Sequence, residues 1–514
     1  MPGSPAFPAG VVATPHYLAS SAGLAVLADG GNAVDAIVAA NLVLGVVTPY
    51  YCGFGGDLLA LVHDGGFHAY RGVGRAPHAA TVDVVRDRSG SDQMPVLGAH
   101  SVTVPGAIDG WFTLLERWGT RSFGDLARTA RRHAADGFTI TEAAAHRWLG
   151  CRRLYRSFPD WLAAYADVAA GAHLRQPALA ELLDRLAADG PDGYYRGPVA
   201  DAIVDAIAAG GGVMTADDLA LHRGEWVDPL RAEFRGHEIL ELPPPTQGVT
   251  ALEALRIVDA LDLERDDVDR HHLMIEAMKL ALVDRDDHVG DPDTMRIDPE
   301  VLCSDEWVAA RRADIDPTRA RRPTPRPSPD GGTAYLCAAD ADGLLVSLIQ
   351  SNFTAAGSGV HVPRWGINLH NRGSSFRLDP QHVNAIGPAK LPMHTLIPAM
   401  ATRGGAPWLV FGAMGGHGQA QTHLQLLVRM LVDGDDPQRA IDAPRWAVDP
   451  GTWWITAESR FDQEMLRRLV DRGHVLRTGW AYDDAMGHAH AIERLAAGYR
   501  AGTDPRAEGA ALGH

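Results

Sequence analysis

The stretch GGTAYLCAADADGLLVSLIQSNF, residues 331–353, decides how this chain is read. Thr333 to Ala339 and Leu344 to Gln350 have the residue types of two strands, and Asp340-Ala341-Asp342-Gly343 is a turn that would join them. The residues before it are of another kind. Arg311 to Gly332 is loaded with Arg, Pro, Asp and Ser and has almost no apolar content after Ile315, the composition of a mobile, exposed connector. A threonine opening a strand after Gly331-Gly332 has an ordinary reading, β-propensity following a turn. It also has a chemical one. The Thr333 hydroxyl attacks the carbonyl of Gly332, an ester forms, water cleaves it, and Thr333 becomes a chain terminus. Glycines before it would permit the strained backbone that such an attack needs. The freed Thr333 would carry its own base, because an α-amine has a pKa of about 7.7–8.0 and a hydroxyl nucleophile needs a base beside it. No Ser–His–Asp triad is then required, and the chain has no G-x-S-x-G elbow.

Moving outward, Asn32 can cap a helix that has Asp35 in its first turn and Val34, Ile37, Val38 and Leu42 at helical spacing. A glycine-rich turn, Gly53-Phe54-Gly55-Gly56-Asp57, follows. From about Ser122 to Gly290 the pattern is mostly helical, with Ala178–Ala188 and Val199–Ala209 as amphipathic candidates and a long helix near His271 to Asp284. Leu240 to Gly248 must be a loop, since three consecutive prolines fit neither a helix nor a central strand. Pro407 to Gly412 reads as a strand and Gln419 to Leu431 as an amphipathic helix. Gly415-Gly416 between them is either a tight turn needing positive φ or an oxyanion hole built on backbone N–H groups at a helix N-terminus.

The chain has 514 residues, 46% hydrophobic and 22% charged, with a formal net charge of -17, which describes a folded protein and disfavours nucleic acid and anionic membranes as partners. Four cysteines without a CxxC pair, no secretory leader at the N-terminus and no apolar tract of membrane length make a soluble, cytoplasmic protein the expectation. Gly53-Phe54-Gly55-Gly56 matches neither the dinucleotide fingerprint nor the P-loop, and no cofactor is expected. Nor is a metal. The acidic run Asp284 to Asp293 lacks the glycine and glutamate of a calcium loop, and His271-His272 has no spaced third ligand in sequence.

Several blocks together resemble one family. GGNAVDAIVAANLVLGVVTPYYCGFGGD from Gly30, DGPDGYYRG from Asp189, LPPPTQGV from Leu242, EAMKLALVDRDDHVGDPD from Glu276, TAYLCAADADG from Thr333 and GAMGGHGQ from Gly412 are similar, in this order, to γ-glutamyltranspeptidase blocks. The resemblance implies the α+β, four-layered αββα sandwich of N-terminal-nucleophile hydrolases. It implies a proenzyme cut at Gly332–Thr333 into a large fragment, 1–332, and a small one, 333–514, that stay associated as a heterodimer, with a dimer of these as a further expectation. It places Thr333 as nucleophile, Gly415 and Gly416 as oxyanion glycines, and Ser351 where a family threonine supports the nucleophile's amine. The departures concern recognition. Val73 in RGVGRAP stands where glutamyl-transferring members carry a carboxylate-clamping arginine. Ser374-Ser375 replace paired acids that hold the α-amine, and His394-Thr395 replace paired serines. SLIQSNF, HNRGSSF and HTLIPAM are similar to the acylase-like and oxamate-amidohydrolase-like branch. The expectation is hydrolysis of a small amide, with Arg372, Ser374, Ser375, His394, Thr395 and His417 around the acyl group and Arg75 or Arg372 as replacement cation. The alternatives are a true γ-glutamyl transferase or glutathione hydrolase, and a non-cleaving homologue that binds a small molecule.

Overall fold

A computed structural model describes residues 3–165, 167–264, 266–327, 329 and 331–514. The strands Gly332–Ala339 and Leu345–Phe353 pair antiparallel at the centre of a seven-stranded sheet. Val11–Thr14 and Ala510–Gly513 extend it on one side, and Asp57–His63, Phe67–Gly72 and Glu225–Val227 on the other. The joining turn closes as its composition demands: Asp340 Oδ1 accepts from the amides of Asp342 and Leu344, and Gly343 takes a φ of 88°.

Successive side chains of a strand point to opposite faces, and here both faces are covered. Ala334, Leu336, Ala338, Val346 and Leu348 pack on a helical layer that includes Ala33–Val47. Tyr335, Cys337, Ala339, Leu345 and Ile349 face a second antiparallel sheet through Leu240, Met400, Val410 and Ile492. The outer face of that second sheet, with Ala399, Leu409 and Phe411, meets the helices Gly248–Asp259, Asp267–His288 and Gly418–Leu431. Three apolar layers between four structural layers make the αββα sandwich, and they explain why the central strands read as nearly unbroken apolar runs.

The helix Ala33–Val47 begins with a reciprocal capping box between Asn32 and Asp35, and all of its residues are buried. The other expected helices appear as Pro177–Asp189, Pro198–Ala209, Asp267–His288 and Gly418–Leu431. The helical reading of 122–290 missed the hairpin Leu230–Phe234 and His237–Glu241, an edge of the second sheet. Its signal is a period of two, with Leu230, Ala232 and Phe234 buried and Arg231 and Glu233 exposed, closed by Arg235 and Gly236 at φ 52° and 73°. No helix among the described residues is long and apolar enough to cross a membrane.

The connector starts inside the helix Asp305–Ala313 and, among its described residues before Gly332, has no regular structure beyond it, while hydrogen bonds meet it at intervals. Arg321 N donates to Glu276 Oε2 at 2.9 Å, Trp453 Nε1 to Thr324 O at 3.0 Å and Arg377 Nη1 to Pro327 O at 2.8 Å. Composition reported the lack of apolar anchors and could not report these donors, which come from distant parts of the chain. Residues 328 and 330 lie outside the described residues.

Candidate active site

Thr333 is 0% exposed and sits where the register of the central strand pair slips between Gly332 and Ala334. Such a bulge re-aims a side chain out of the ladder. The Thr333 hydroxyl donates to Ser351 Oγ at 3.1 Å, and Ser351 Oγ donates to the Gly332 carbonyl at 2.8 Å while accepting from Phe353 N at 2.7 Å. A serine hydroxyl has one hydrogen and two lone pairs, and all three are committed here. Ser351 therefore joins the attacking hydroxyl to the carbonyl it would attack. Gly331 and Gly332 matter for space rather than for handedness. A Cβ on Gly331 would lie 2.8 Å from the Phe353 ring and one on Gly332 3.2 Å from the Tyr51 ring, whereas neither takes a left-handed φ. The strained backbone is opposite, at Phe353 and Ala355, with φ of 71° and 48°.

Gly415 and Gly416 adopt φ of 131° and 54° immediately before the helix Gly418–Leu431. Gly418 N donates to Gly415 O at 2.7 Å, and Gly416 O accepts from Gln247 Nε2 at 2.9 Å. Their carbonyls are thus turned into the protein. Gly331, Gly332 and Gly415 border one open cleft of about 770 Å³, so the bond to be cut and the glycine turn share a space. Gln247 also donates to Thr395 O at 2.9 Å, tying the turn to the inner pocket.

That inner pocket centres on Arg372. Its guanidinium is 1% exposed, lies 3.8 Å from the Phe353 ring centre, and donates through Nη1 to Thr395 Oγ1 at 3.4 Å. Among the described residues Nε and Nη2 have no hydrogen-bond partner, and neither has the buried hydroxyl of Ser375. Burial draws the Arg372 pKa down to about 9, against the pull of Asp57, so the group is a cation at neutral pH. A buried guanidinium with two idle donor positions, beside an idle hydroxyl, is chemically a carboxylate receptor.

Residues 19–514 match the family model described as gamma-glutamyltranspeptidase. The chain belongs to the γ-glutamyltranspeptidase family. It is 37% identical over 533 residues to a glutathione hydrolase-like YwrD proenzyme of Bacillus subtilis (strain 168), with 98% of each chain covered. It is 36% identical over 526 residues to an oxamate amidohydrolase proenzyme of Klebsiella pneumoniae subsp. pneumoniae, again with 98% of each covered. Among solved structures, a cephalosporin acylase from Bacillus halodurans superposes with a TM-score of 0.95 at 37% identity, covering 100% of this chain and 97% of the other. The chain is accordingly an amide hydrolase of the N-terminal-nucleophile class, with the fold the sequence blocks implied.

Within that frame several expected pocket residues have other partners. Val73 lies in the apolar layer between the sheets with Leu391 and Leu396. His394 donates from Nδ1 to Pro392 O at 2.7 Å and meets Asp57 Oδ2 through Nε2 at 3.0 Å, leaving no ring nitrogen for a ligand. Asp57 also accepts from Gly74 N and Gly106 N and lies 3.2 Å from His370 Nδ1. Burial alone would raise its pKa, but the two histidines hold it well below the carboxylate range. Asp57, which closes the Gly53 turn, was not singled out from sequence. Its signal was a lone acid at the end of an apolar glycine-rich block. Ser374 Oγ is spent on Asn371 O at 2.7 Å. His417 is held between Arg285 Nη1 at 2.9 Å and Pro329 O of the connector at 3.0 Å, so the uncut segment lies across it. Arg75 is half-exposed and paired with Glu225 at 2.8 Å.

The acids of the 284–293 run are largely engaged: Asp284 with Arg311, Asp286 with Arg285 and Asp287 with Arg326. For His272 the fold supplies neighbours that the sequence did not, since Glu276 and His474 bring ligand atoms within 4.8 Å. Lys279 Nζ stands in the same cluster, 2.8 Å from Glu276 Oε1 and 3.3 Å from His474 Nδ1. His474 Nε2 and His272 Nδ1 are 2.8 Å apart, and His272 Nε2 reaches Asp316 O at 2.8 Å. A hydrogen-bonded chain from the ammonium through two neutral rings to a carbonyl satisfies every member, and it fastens the start of the connector.

Proposed function

We propose that this protein cuts its own Gly332–Thr333 bond and then hydrolyses small amides whose acyl part carries a carboxylate. One observation carries the first half: the relay from Thr333 Oγ1 to Ser351 Oγ to Gly332 O, with Gly415 in the same cleft. Thr333 Oγ adds to the Gly332 carbonyl carbon, and the C–N bond breaks as the departing nitrogen takes up the hydroxyl proton. Water then hydrolyses the ester, leaving a Gly332 carboxylate and the free α-amine of Thr333. In turnover that amine takes the Thr333 hydroxyl proton as the oxygen attacks the substrate carbonyl. The Gly415 and Gly416 amides hold the oxyanion, and the α-ammonium returns the proton to the leaving amine. Water attacks the Thr333 ester with the amine again as base. Loss of one oxyanion donor in such a site slows turnover by roughly 100- to 1,000-fold.

Arg372 supports the second half, with Ser375 and Thr395 as hydroxyl partners of the bound carboxylate. A γ-glutamyl head group would find no acid at Ser374-Ser375 for its ammonium and no cation at Val73. The two fragments would remain one heterodimeric unit, because Gly332–Ala339 is an inner strand of a sheet whose other strands come from both sides of the cut. The experiment is electrophoresis with N-terminal sequencing of the purified protein. Two fragments are expected, the smaller beginning at Thr333, and Thr333→Ala should give one full-length band without amidase activity. A Thr333→Ala protein that still divides there would remove Thr333 from the mechanism.

A further inference from the structure

From the Gly332–Thr333 bond a bound substrate can extend in two directions. One is inward, toward the buried polar cluster of Arg372, Ser375 and Thr395, each no more than 3% exposed. The other is the open cleft of about 770 Å³ whose lining includes Gly332, Gly415, Tyr51, Arg147, Asp484 and Trp480. An acyl group that fills the inner pocket leaves the cleft to the amine.

The cleft wall has a definite chemistry. Trp480 is 82% exposed, an indole left on the surface, and its loop is held. Trp480 N donates to Asp483 Oδ2 at 3.0 Å, Asp483 N donates to Glu458 Oε1 at 2.9 Å, and Asp484 is clamped by Arg147 Nη1 at 2.5 Å. Arg147 in turn lies 4.8 Å from the Tyr51 ring centre, so its charge is answered by an acid and an aromatic face. Tyr51 is 7% exposed, and its hydroxyl has no hydrogen-bond partner among the described residues. Burial raises the Tyr51 pKa well above the ordinary phenol value, and the group stays an O–H donor. A flat apolar surface, a cation already neutralised and a buried idle hydroxyl suit an uncharged planar group with a hydrogen-bond acceptor.

We propose that this cleft is the leaving-amine subsite, and that it takes amines carrying an aromatic or heteroaromatic ring in preference to ammonia. The proposal rests on the reading that the acyl carboxylate lies on Arg372. The test uses fully cut enzyme, verified by N-terminal sequencing, and pairs of amides that share an acyl group: oxamate with N-benzyloxamate, and glutaramate with its N-benzyl derivative. Benzylamine and ammonia are of similar basicity, so the ratio of kcat/KM within a pair reports the cleft rather than the leaving group. The benzyl amide is expected to be preferred at least tenfold, about the worth of one desolvated aromatic contact. Trp480→Ala should bring that ratio back toward one. Replacing benzyl by 4-pyridylmethyl offers Tyr51 an acceptor, and Tyr51→Phe should erase a gain of ~3- to 10-fold from that hydrogen bond. If the primary amides are hydrolysed with full dependence on Arg372 but the benzyl amides are no better, or the ratio ignores Trp480→Ala, the cleft assignment falls and the proposed function stands. If the cut enzyme hydrolyses neither member of either pair, the underlying reading falls with it.

Discussion

Arg372 and the pair Arg445 and Arg506 are all buried arginines, and their surroundings differ in one respect. Arg445 donates to Asp504 Oδ2 at 2.7 Å and to the carbonyls of Ile441 and Gly487. Arg506 meets Glu458 at 2.6 Å and Asp504 at 3.1 Å. Every acid there answers a cation, and the cluster joins the segment around Ile441–Arg445 to the strands near the C-terminus. Arg372 has a weak contact with Thr395, a ring beneath it and, among the described residues, no acid within ion-pairing distance. Burying a charge is expensive unless it is paired, so the first site contributes to the fold and the second is maintained in spite of it. A protein tolerates the second arrangement where a ligand completes it.

The comparison can be broken by removing one member from each side. Asp504→Asn leaves two buried guanidinium groups short of an acid and should cost about 3–5 kcal/mol of stability, the usual penalty for orphaning a buried ion. Thermal and denaturant unfolding measure it, and a loss below about 1 kcal/mol would mean that the cluster is not structural. Arg372→Met should behave in the opposite way. An apolar side chain of similar length removes an unpaired buried charge, so stability should hold or rise. Meanwhile kcat/KM for a carboxylate-bearing amide should fall by about 30- to 1,000-fold, the worth of roughly 2–4 kcal/mol of charge-assisted hydrogen bonding. An amide of the same size without the carboxylate should be far less affected. If Arg372→Met destabilises the protein as Asp504→Asn does, the two sites are of one kind and the ligand argument is lost.

The same contrast explains how much was legible beforehand. The capping box at Asn32, the Asp340–Gly343 turn and the boundary at Thr333 are local chemistry, and they stand where composition and spacing put them. The hairpin Leu230–Glu241 was also local but was overlooked in a helical neighbourhood. What sequence could not supply is pairing across distance. Asp57 meets His394 from 337 positions away, and that contact turned an expected ligand contact into an interior one. Pro329 reaches His417 across 88 positions. Arg372, like Arg75, stood out for lying near a lost contact in sequence; that no described acid pairs with it depends on every other residue around it, and only the fold holds such a fact.

A smaller effect sharpens the comparison through pH. Burial lowers the Arg372 pKa to about 9, whereas Asp504 is held below the carboxylate range by Arg445 and Arg506 against the effect of its own burial. The signs then separate. Asp504 binds its proton more weakly folded than unfolded, so its contribution to stability is present above the ordinary carboxylate pKa of about 3.9 and is lost as pH falls below it. Arg372 is almost fully charged at neutral pH and loses its cation as pH rises through about 9, so the grip on a carboxylate weakens on the alkaline side. Two alkaline-side changes are therefore expected in the cut enzyme. The α-amine of Thr333 becomes a competent base as pH rises through about 7.7–8.0, lifting kcat. Above pH 9, KM for a carboxylate-bearing amide should climb while kcat stays level. Arg372→Met should abolish that climb and keep the kcat limb, which assigns the two steps to different groups. A KM that is flat to pH 10 in the unsubstituted enzyme would mean that burial does not strip the guanidinium of its proton in that range, leaving the Thr333 amine as the one alkaline-side group.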